Sequence, residues 1–231
     1  VRTRVPDEAK AAALVQELGT AAFEDIASNP LMLSMMVSVY ASNNYKLISN
    51  RSELYEKALR TFMGRSDTHR AGLELAAQEE LLAPLQKLAS ASHRREGERR
   101  IFTVAQANDW AGEGGWAAIM GAMNDDRLPI IAKLGPNDKD EDEYRFGHMS
   151  YQEYLTGREY YKRLTAARFA AATVKELFGD PPAHAFADVK HHLMLQLLAG
   201  ILSAEQRSMC LAVMCGGRVE VQTPARKQSR R

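Results

Sequence analysis

This sequence has no phosphate-cradling glycine loop. No two of its glycines stand five residues apart, so the pattern G-x-x-x-x-G-K-[ST] occurs nowhere along it. No strand-like run ends in an acid placed to hold Mg2+ beside such a loop, so nucleotide hydrolysis is not encoded in these residues alone. Cysteine is scarce. Cys210 and Cys215 stand five apart, which is neither zinc-site nor redox-pair spacing, and they read as reduced thiols of an intracellular protein. Neither has a histidine near it in sequence and no G-x-S-x-G elbow occurs, so no catalytic nucleophile is indicated. Long apolar runs are lacking too. The longest, residues 31–41, is interrupted by Ser34 and Ser38 and falls far short of the roughly 20 residues that span a bilayer. A net charge of +1 leaves no overall field drawing the chain to nucleic acid or anionic lipid. The chain opens at Val1 without a charged-then-apolar leader, and we expect a piece of a longer protein.

What is present is a globular composition. In 231 residues, 45% hydrophobic and 26% charged is enough for a real core and too apolar for a disordered chain. The spacing is mostly helical. Residues 6–18 predict a helix with Pro6 at a tolerated first-turn position, Asp7 and Glu8 in the first turn and Gly19 as its stop. A short helix over 20–27 follows. Asn29 can cap, and Pro30 can begin, a helix over 30–41 that is apolar on nearly all sides and therefore central to its bundle. Apolar positions 54, 55, 58, 59, 62 and 63 give the next helix, 51–63, and Gly64 with 65–68 makes a break. A helix over 73–91 contains Pro84, which predicts a kink or two helices. The basic connector 93–100, with Arg94, Arg95, Arg99 and Arg100, leads to a short strand at Ile101-Phe102. Thr103 and Gln106 form a capping box opening a helix to Trp110. Gly112, Gly114 and Gly115 end it, and a third helix covers 116–123. Extended stretches at 128–134 and 143–148 flank the acidic turn 135–142.

Helix, strand, helix, helix and hairpin is the order of a winged-helix domain. Helices are expected again at 151–164, 167–178, 184–202 and 204–214, with Gly179-Asp180-Pro181-Pro182 as the clearest breaker. Ser150 reads as the N-cap of the first of these and Glu153 as its capping-box partner. The predicted fold is therefore mainly α. A small helical domain at 1–65 precedes a winged-helix domain with a small β-hairpin at 70–165, the start of a second helical domain at 166–215, and a disordered tail at 216–231. That tail has five basic residues against one acid.

Residues that carry chemistry are few. His148 stands just before a capped helix start, where free N–H groups and the positive end of the helix dipole suit an anion; a structural role is the plainer reading of a lone histidine there. His184, Asp188, His191 and His192 share one face of the expected helix and could hold a transition metal, or simply be a solvated surface. The acidic turn lacks the alternating ligands, glycine and terminal glutamate of a calcium loop. The connector arginines and basic tail could contact phosphates as a DNA-binding winged helix does. The helices at 104–110 and 116–123, however, carry almost no Lys or Arg for a recognition helix, so nucleic acid is not an expected partner.

Three stretches occur in a telling order: Asn29-Pro30-Leu31-Met32-Leu33, then Asn50-Arg51-Ser52-Glu53-Leu54-Tyr55-Glu56-Lys57-Ala58, then Phe146-Gly147-His148-Met149-Ser150-Tyr151-Gln152-Glu153-Tyr154-Leu155. They resemble the N-P-L-x-L, R-x-E-L-Y-E and F-x-H-x-[ST]-[FY]-Q-E-[FY]-L segments of NACHT-type NTPases, members of the STAND signal-transduction ATPases. With the winged-helix pattern between the second and third, the resemblance covers about residues 1–165. It implies a regulatory fragment that follows the P-loop core and is not itself an enzyme. It also implies that Pro30 packs on the adenine of bound ADP and that His148 contacts the phosphates. ADP or ATP with Mg2+ is expected only in the full-length parent, whose upstream P-loop domain would be the partner of this chain. Exchange of ADP for ATP would release the winged helix and permit homo-oligomerisation in cytoplasmic signalling. The residue chemistry agrees, since a rigid proline face suits a base and an imidazole donor suits a phosphate. Two positions depart from the family pattern: Ile48 replaces a common proline, and Thr156-Gly157 replaces the usual small pair. The competing expectation is a stand-alone helical and winged-helix module that binds protein or DNA without nucleotide.

Overall fold

The computed structural model describes residues 5, 7–20, 28–40, 43–64, 73–125 and 128–216. Among them are ten α-helices, one 3-10 turn and one three-stranded antiparallel sheet, so the fold is mainly α with a small β-hairpin. The helix expected over 20–27 and the tail from 217 lie outside the described residues.

Local capping sets most helix starts. Asp7 accepts from the Lys10 amide at 3.0 Å and opens α1, Glu8–Leu18. Asn29 Oδ1 accepts from the amides of Leu31 and Met32 at 3.0 and 3.2 Å, opening α2, Pro30–Tyr40. Asn50 does the same for Glu53 at the start of α3, Arg51–Gly64. Helix α2 is apolar on two sides because it serves two cores: Met32, Met35, Met36 and Val39 join the main cluster, while Val37 and Tyr40 pack with Leu14 of α1.

Pro84 does not divide the next helix. Residues Leu75–His93 form one helix, α4, with Pro84 inside it. Its ring fits against Gly115, where an added Cβ would stand 2.7 Å from the Pro84 Cβ. Strand β1, Ile101–Thr103, is followed by α5, Val104–Ala111, opened by the expected Thr103–Gln106 capping box. Helix α6, Glu113–Asn124, starts earlier than expected and includes Gly114 and Gly115. Gly112 alone, at φ 80°, makes the break.

Strands β2, Ile131–Pro136, and β3, Asp142–Phe146, pair around the acidic turn, and β3 lies between β1 and β2. Asn137 Oδ1 organises the turn by accepting from the amides of Lys139 and Glu141 at 2.9 and 3.0 Å. The inner sheet face supplies Phe102, Tyr144 and Phe146, and Trp116 of α6 meets Tyr144 edge-on at 5.0 Å.

After β3 comes α7, Met149–Ala166, which is buried around nearly its whole circumference, from Ser150 and Tyr151 through Leu155 to Tyr160 and Leu164. It packs against α4 and α9 and is the pillar of the molecule. The helix expected over 167–178 begins only at Ala171, because Arg168 and Phe169 adopt positive φ and reverse the chain; α8 is Ala171–Phe178. The helix expected over 184–202 is also shorter. A 3-10 turn, Pro182–Phe186, precedes α9, Val189–Ile201, because the Asp188 carboxylate takes the Lys190 amide at 3.0 Å and fixes the start there. Helix α10, Ala204–Met214, completes a second core with Tyr160, Leu164 and Phe178.

Candidate functional site

The start of α7 differs from the sequence expectation in one informative way. His148, not Ser150, is the N-cap, and Glu153 is not its capping-box partner. The His148 ring turns back so that Nδ1 accepts the Ser150 amide at 3.2 Å and lies 2.7 Å from Ser150 Oγ. An amide donor facing Nδ1 requires a lone pair there, so the ring proton sits on Nε2. Nε2 makes no hydrogen bond among the described residues, and the histidine is exposed. Partial burial, with the Arg100 guanidinium nearby, holds the imidazole below its ordinary pKa, so it is a neutral donor at physiological pH. The arrangement offers an outward N–H, an arginine and a helix N-terminus at the base of the hairpin.

Behind His148 the second and third resembling stretches meet. Tyr55 of α3 stacks on Tyr154 at 5.7 Å and 17°, and meets Tyr151 edge-on at 5.9 Å and 88°. Burial raises the pKa of Tyr55. The first stretch enters through Met32, which shares the same core cluster as Tyr55 and Tyr154. Pro30 itself is exposed at the start of α2, with its neighbour Asn29 committed to the helix cap. The structure therefore puts each of the two expected nucleotide contacts at an exposed helix start. No hydrogen bond or ring contact joins Pro30 to His148 among the described residues.

A second polar assembly was not foreseen. His93, expected in the connector, is the last residue of α4 and only 1% exposed; its Nε2 lies 3.2 Å from Nδ1 of His191 on α9. Burial is the main cause that pushes His93 down to about 3, with Arg99 adding to it, and burial also lowers His191. Both rings are neutral near pH 7, and one N–H donates to the other ring. Gln152 of α7 donates to the Arg99 carbonyl at 2.7 Å and completes the seam. The pair was not legible because the two histidines are 98 residues apart.

His184 lies on the 3-10 turn while Asp188 caps α9, so the four residues do not share one helix. His192 instead bonds the Phe186 carbonyl at 2.9 Å. Among the described residues no group of three or more His, Cys, Asp or Glu side chains could hold a metal ion. Two concavities are lined by other residues than Pro30 and His148. One of about 380 Å³ lies between the end of α6 and β2, with Met120, Leu128 and Lys133 on its wall, and an apolar one of about 90 Å³ lies between α9 and α10. No described helix is long and apolar enough to cross a membrane.

No known protein family, curated protein or solved structure matches this chain.

Proposed function

We propose that the chain is the regulatory part of a NACHT-like STAND ATPase, in which nucleotide state is coupled to domain closure and oligomerisation in cytoplasmic signalling. The observation that carries this reading is the capped histidine. His148 spends Nδ1 on its own helix and keeps an Nε2–H donor free at the positive end of an 18-residue helix, beside Arg100. That combination suits the phosphates of ADP or ATP. Support also comes from the contact of Tyr55 with Tyr151 and Tyr154, which joins two of the three resembling stretches. In this reading Pro30 packs on the base, the upstream P-loop domain of the parent supplies the glycine loop and Mg2+ ligands, and the present chain carries no catalytic residue. A nucleotide held between that domain and His148 favours the closed form by its differential affinity for it, and exchange frees surfaces for homo-oligomerisation.

The test is ADP binding by the parent chain. His148→Ala is expected to weaken ADP binding and shift the protein to a more open, faster-exchanging form, seen by calorimetry and sedimentation. Unchanged affinity and unchanged hydrodynamic size would sink the assignment.

A second reading, an interaction module without nucleotide, draws on α6. Its exposed residues are Gly114, Ala117, Ala118 and Gly121, with Glu113 and Asn124 at its two ends, and the whole helix has no Lys or Arg. Such a face suits contact with another protein's backbone and not with DNA phosphates. ADP binding by the parent separates the two readings.

A further inference from the structure

Strand β2 is an edge of the sheet: among the described residues it pairs with β3 alone. The direction of its backbone groups follows from its neighbours. Phe146 donates its amide to the Arg100 carbonyl at 3.1 Å, and Gly147 donates its own to the Ile130 carbonyl at 2.8 Å. Phe146 therefore faces β1, while Arg145 and Gly147 face β2, where Arg145 stands opposite Ala132. Alternation along β2 then turns the N–H and C=O groups of Ile131 and Lys133 outward, away from β3. Pro129 before this open edge and a bulge between Lys133 and Gly135 after it keep the edge short.

Beside this edge lies the concavity of about 380 Å³, walled by Met120 and Met123 of α6, by Leu128, and by Ile131, Lys133 and Tyr144 of the sheet. Ile131 is paired with Phe146 and Lys133 with Tyr144, so all four side chains share the inner face of the sheet. A strand added to β2 would bond to Ile131 and Lys133 through two of its residues separated by one. The side chains of those two residues fall on the same inner face, into the concavity. Past the end of the edge, the turn carries Asp138, Asp140, Glu141, Asp142 and Glu143 against Lys139. Asp138, Asp140 and Glu141 are exposed there. The Lys133 ammonium is held by Asp142 and leaves those three carboxylates to an outside cation.

We propose that the β2 edge is a docking site for an extended basic peptide of another protein, which adds antiparallel to β2. Main-chain bonds to Ile131 and Lys133 hold it, two apolar side chains fill the concavity against Met120 and Met123, and Lys or Arg residues reach the acidic turn. Because β2 runs toward that turn, the basic residues of an antiparallel peptide precede its apolar ones. A second copy of this chain fits less well. Antiparallel pairing of two such edges over their full length opposes Ile131 to Lys133 and drives a lysine into each apolar concavity. An acidic peptide would meet the carboxylates of the turn. The site uses neither Pro30 nor His148 and stands apart from the nucleotide reading.

The test uses the chain labelled with nitrogen-15 and the synthetic peptide Arg-Lys-Thr-Val-Thr-Val-Thr, capped at both ends. Its two valines are expected opposite Lys133 and Ile131, in that order. Without peptide the Ala132 amide, on the β3 side, exchanges slowly with solvent and the outward amides of Ile131 and Lys133 exchange fast; saturating peptide slows those two. N-methylation of both valines, whose N–H groups face β2, weakens binding about tenfold or more. N-methylation of the threonine between them, whose N–H faces solvent, leaves binding unchanged. Replacing Arg-Lys by Glu-Glu weakens it, and so does Asp138→Lys combined with Asp140→Lys, both at exposed positions. Lys133→Pro removes one outward amide and spares the ladder to β3, so it too lowers affinity; if that variant does not fold, the peptide variants still decide. The proposal is overturned if the peptide does not bind, or binds and leaves the Ile131 and Lys133 amides exchanging fast. Equal losses from the two kinds of N-methylation, or undiminished binding of the Glu-Glu peptide, overturn it as well. So does protection of the two amides that grows with chain concentration in the absence of peptide, which would make the edge a contact between copies.

Discussion

Acid is expected to open this molecule at the seam between α4 and α9. In the unfolded chain His93 titrates with an ordinary pKa of 6.5, whereas burial, reinforced by Arg99, His191 and Lys190, brings it to about 3 in the fold. Between those values the unfolded state binds the extra proton and the folded state does not. Stability is therefore fully present above 6.5 and falls as pH drops from 6.5 toward 3. Integrating the proton difference, His93 alone removes about 2 kcal/mol by about pH 5. His191, lowered for the same reason and only partly offset by Asp188, adds to the loss in the same direction. The assay is urea unfolding followed by helical circular dichroism at several pH values, comparing wild type with His93→Gln. Glutamine keeps an amide that can donate to His191 Nδ1 but cannot take up the proton. The variant's intrinsic stability is not the readout. The readout is its change between neutral and acid pH, which is expected to be smaller than the wild type's by about 2 kcal/mol. Parallel pH profiles for the two proteins would refute the reasoning, since His93 would then be titrating alike in both states.

Glu153 gives the opposite slope. Burial raises its carboxyl from 4.5 to about 7, so the folded state holds a proton that the unfolded state has released, and stability is lost as pH rises through that range. Glu153→Gln is expected to stabilise the fold by roughly 1–2 kcal/mol above neutral pH and by little below pH 5, in the same urea titrations. The helix α6 glycines separate clash from propensity. Gly115→Ala puts a Cβ 2.7 Å from the rigid Pro84 ring, and overpacking of roughly 1–3 kcal/mol outweighs the roughly 1 kcal/mol gained in helix propensity. Gly114→Ala, with nothing within 4 Å of its added Cβ, keeps that gain. Opposite shifts in melting temperature for the two are the expected result, and stabilisation by both would show that the Pro84 contact yields.

Much of this fold could be read along the chain. Capping is local, so Asn29, Thr103 with Gln106, and the Gly179–Pro182 break act as the residue types require, whatever lies around them. The order helix, strand, helix, helix and hairpin between α4 and β3 follows from hydrophobic spacing that changes from helix to strand and back. Where the expectations failed, a distant partner or a competing cap intervened. Pro84 stays inside a single helix seated against Gly115, a residue 31 positions away whose lack of a side chain makes room for the ring. Ser150 loses the capping role to His148, because the imidazole two residues earlier accepts the amide of Ser150 itself and starts the helix before it. Asp188 cuts the histidine-rich segment in two, so that His184 and His191 do not share one helix.

By itself, then, the sequence determined that the chain is mainly helical with one small sheet. It also determined that His148 stands before a long helix and that no phosphate loop accompanies it. Those properties depend on residue type and short-range spacing. Tertiary structure alone decided which nitrogen of His148 faces outward. It alone laid Tyr55 on Tyr154 and closed His93 on His191 across the α4–α9 seam. Each of these depends on burial and on partners brought together over nearly a hundred residues, which no local pattern can encode.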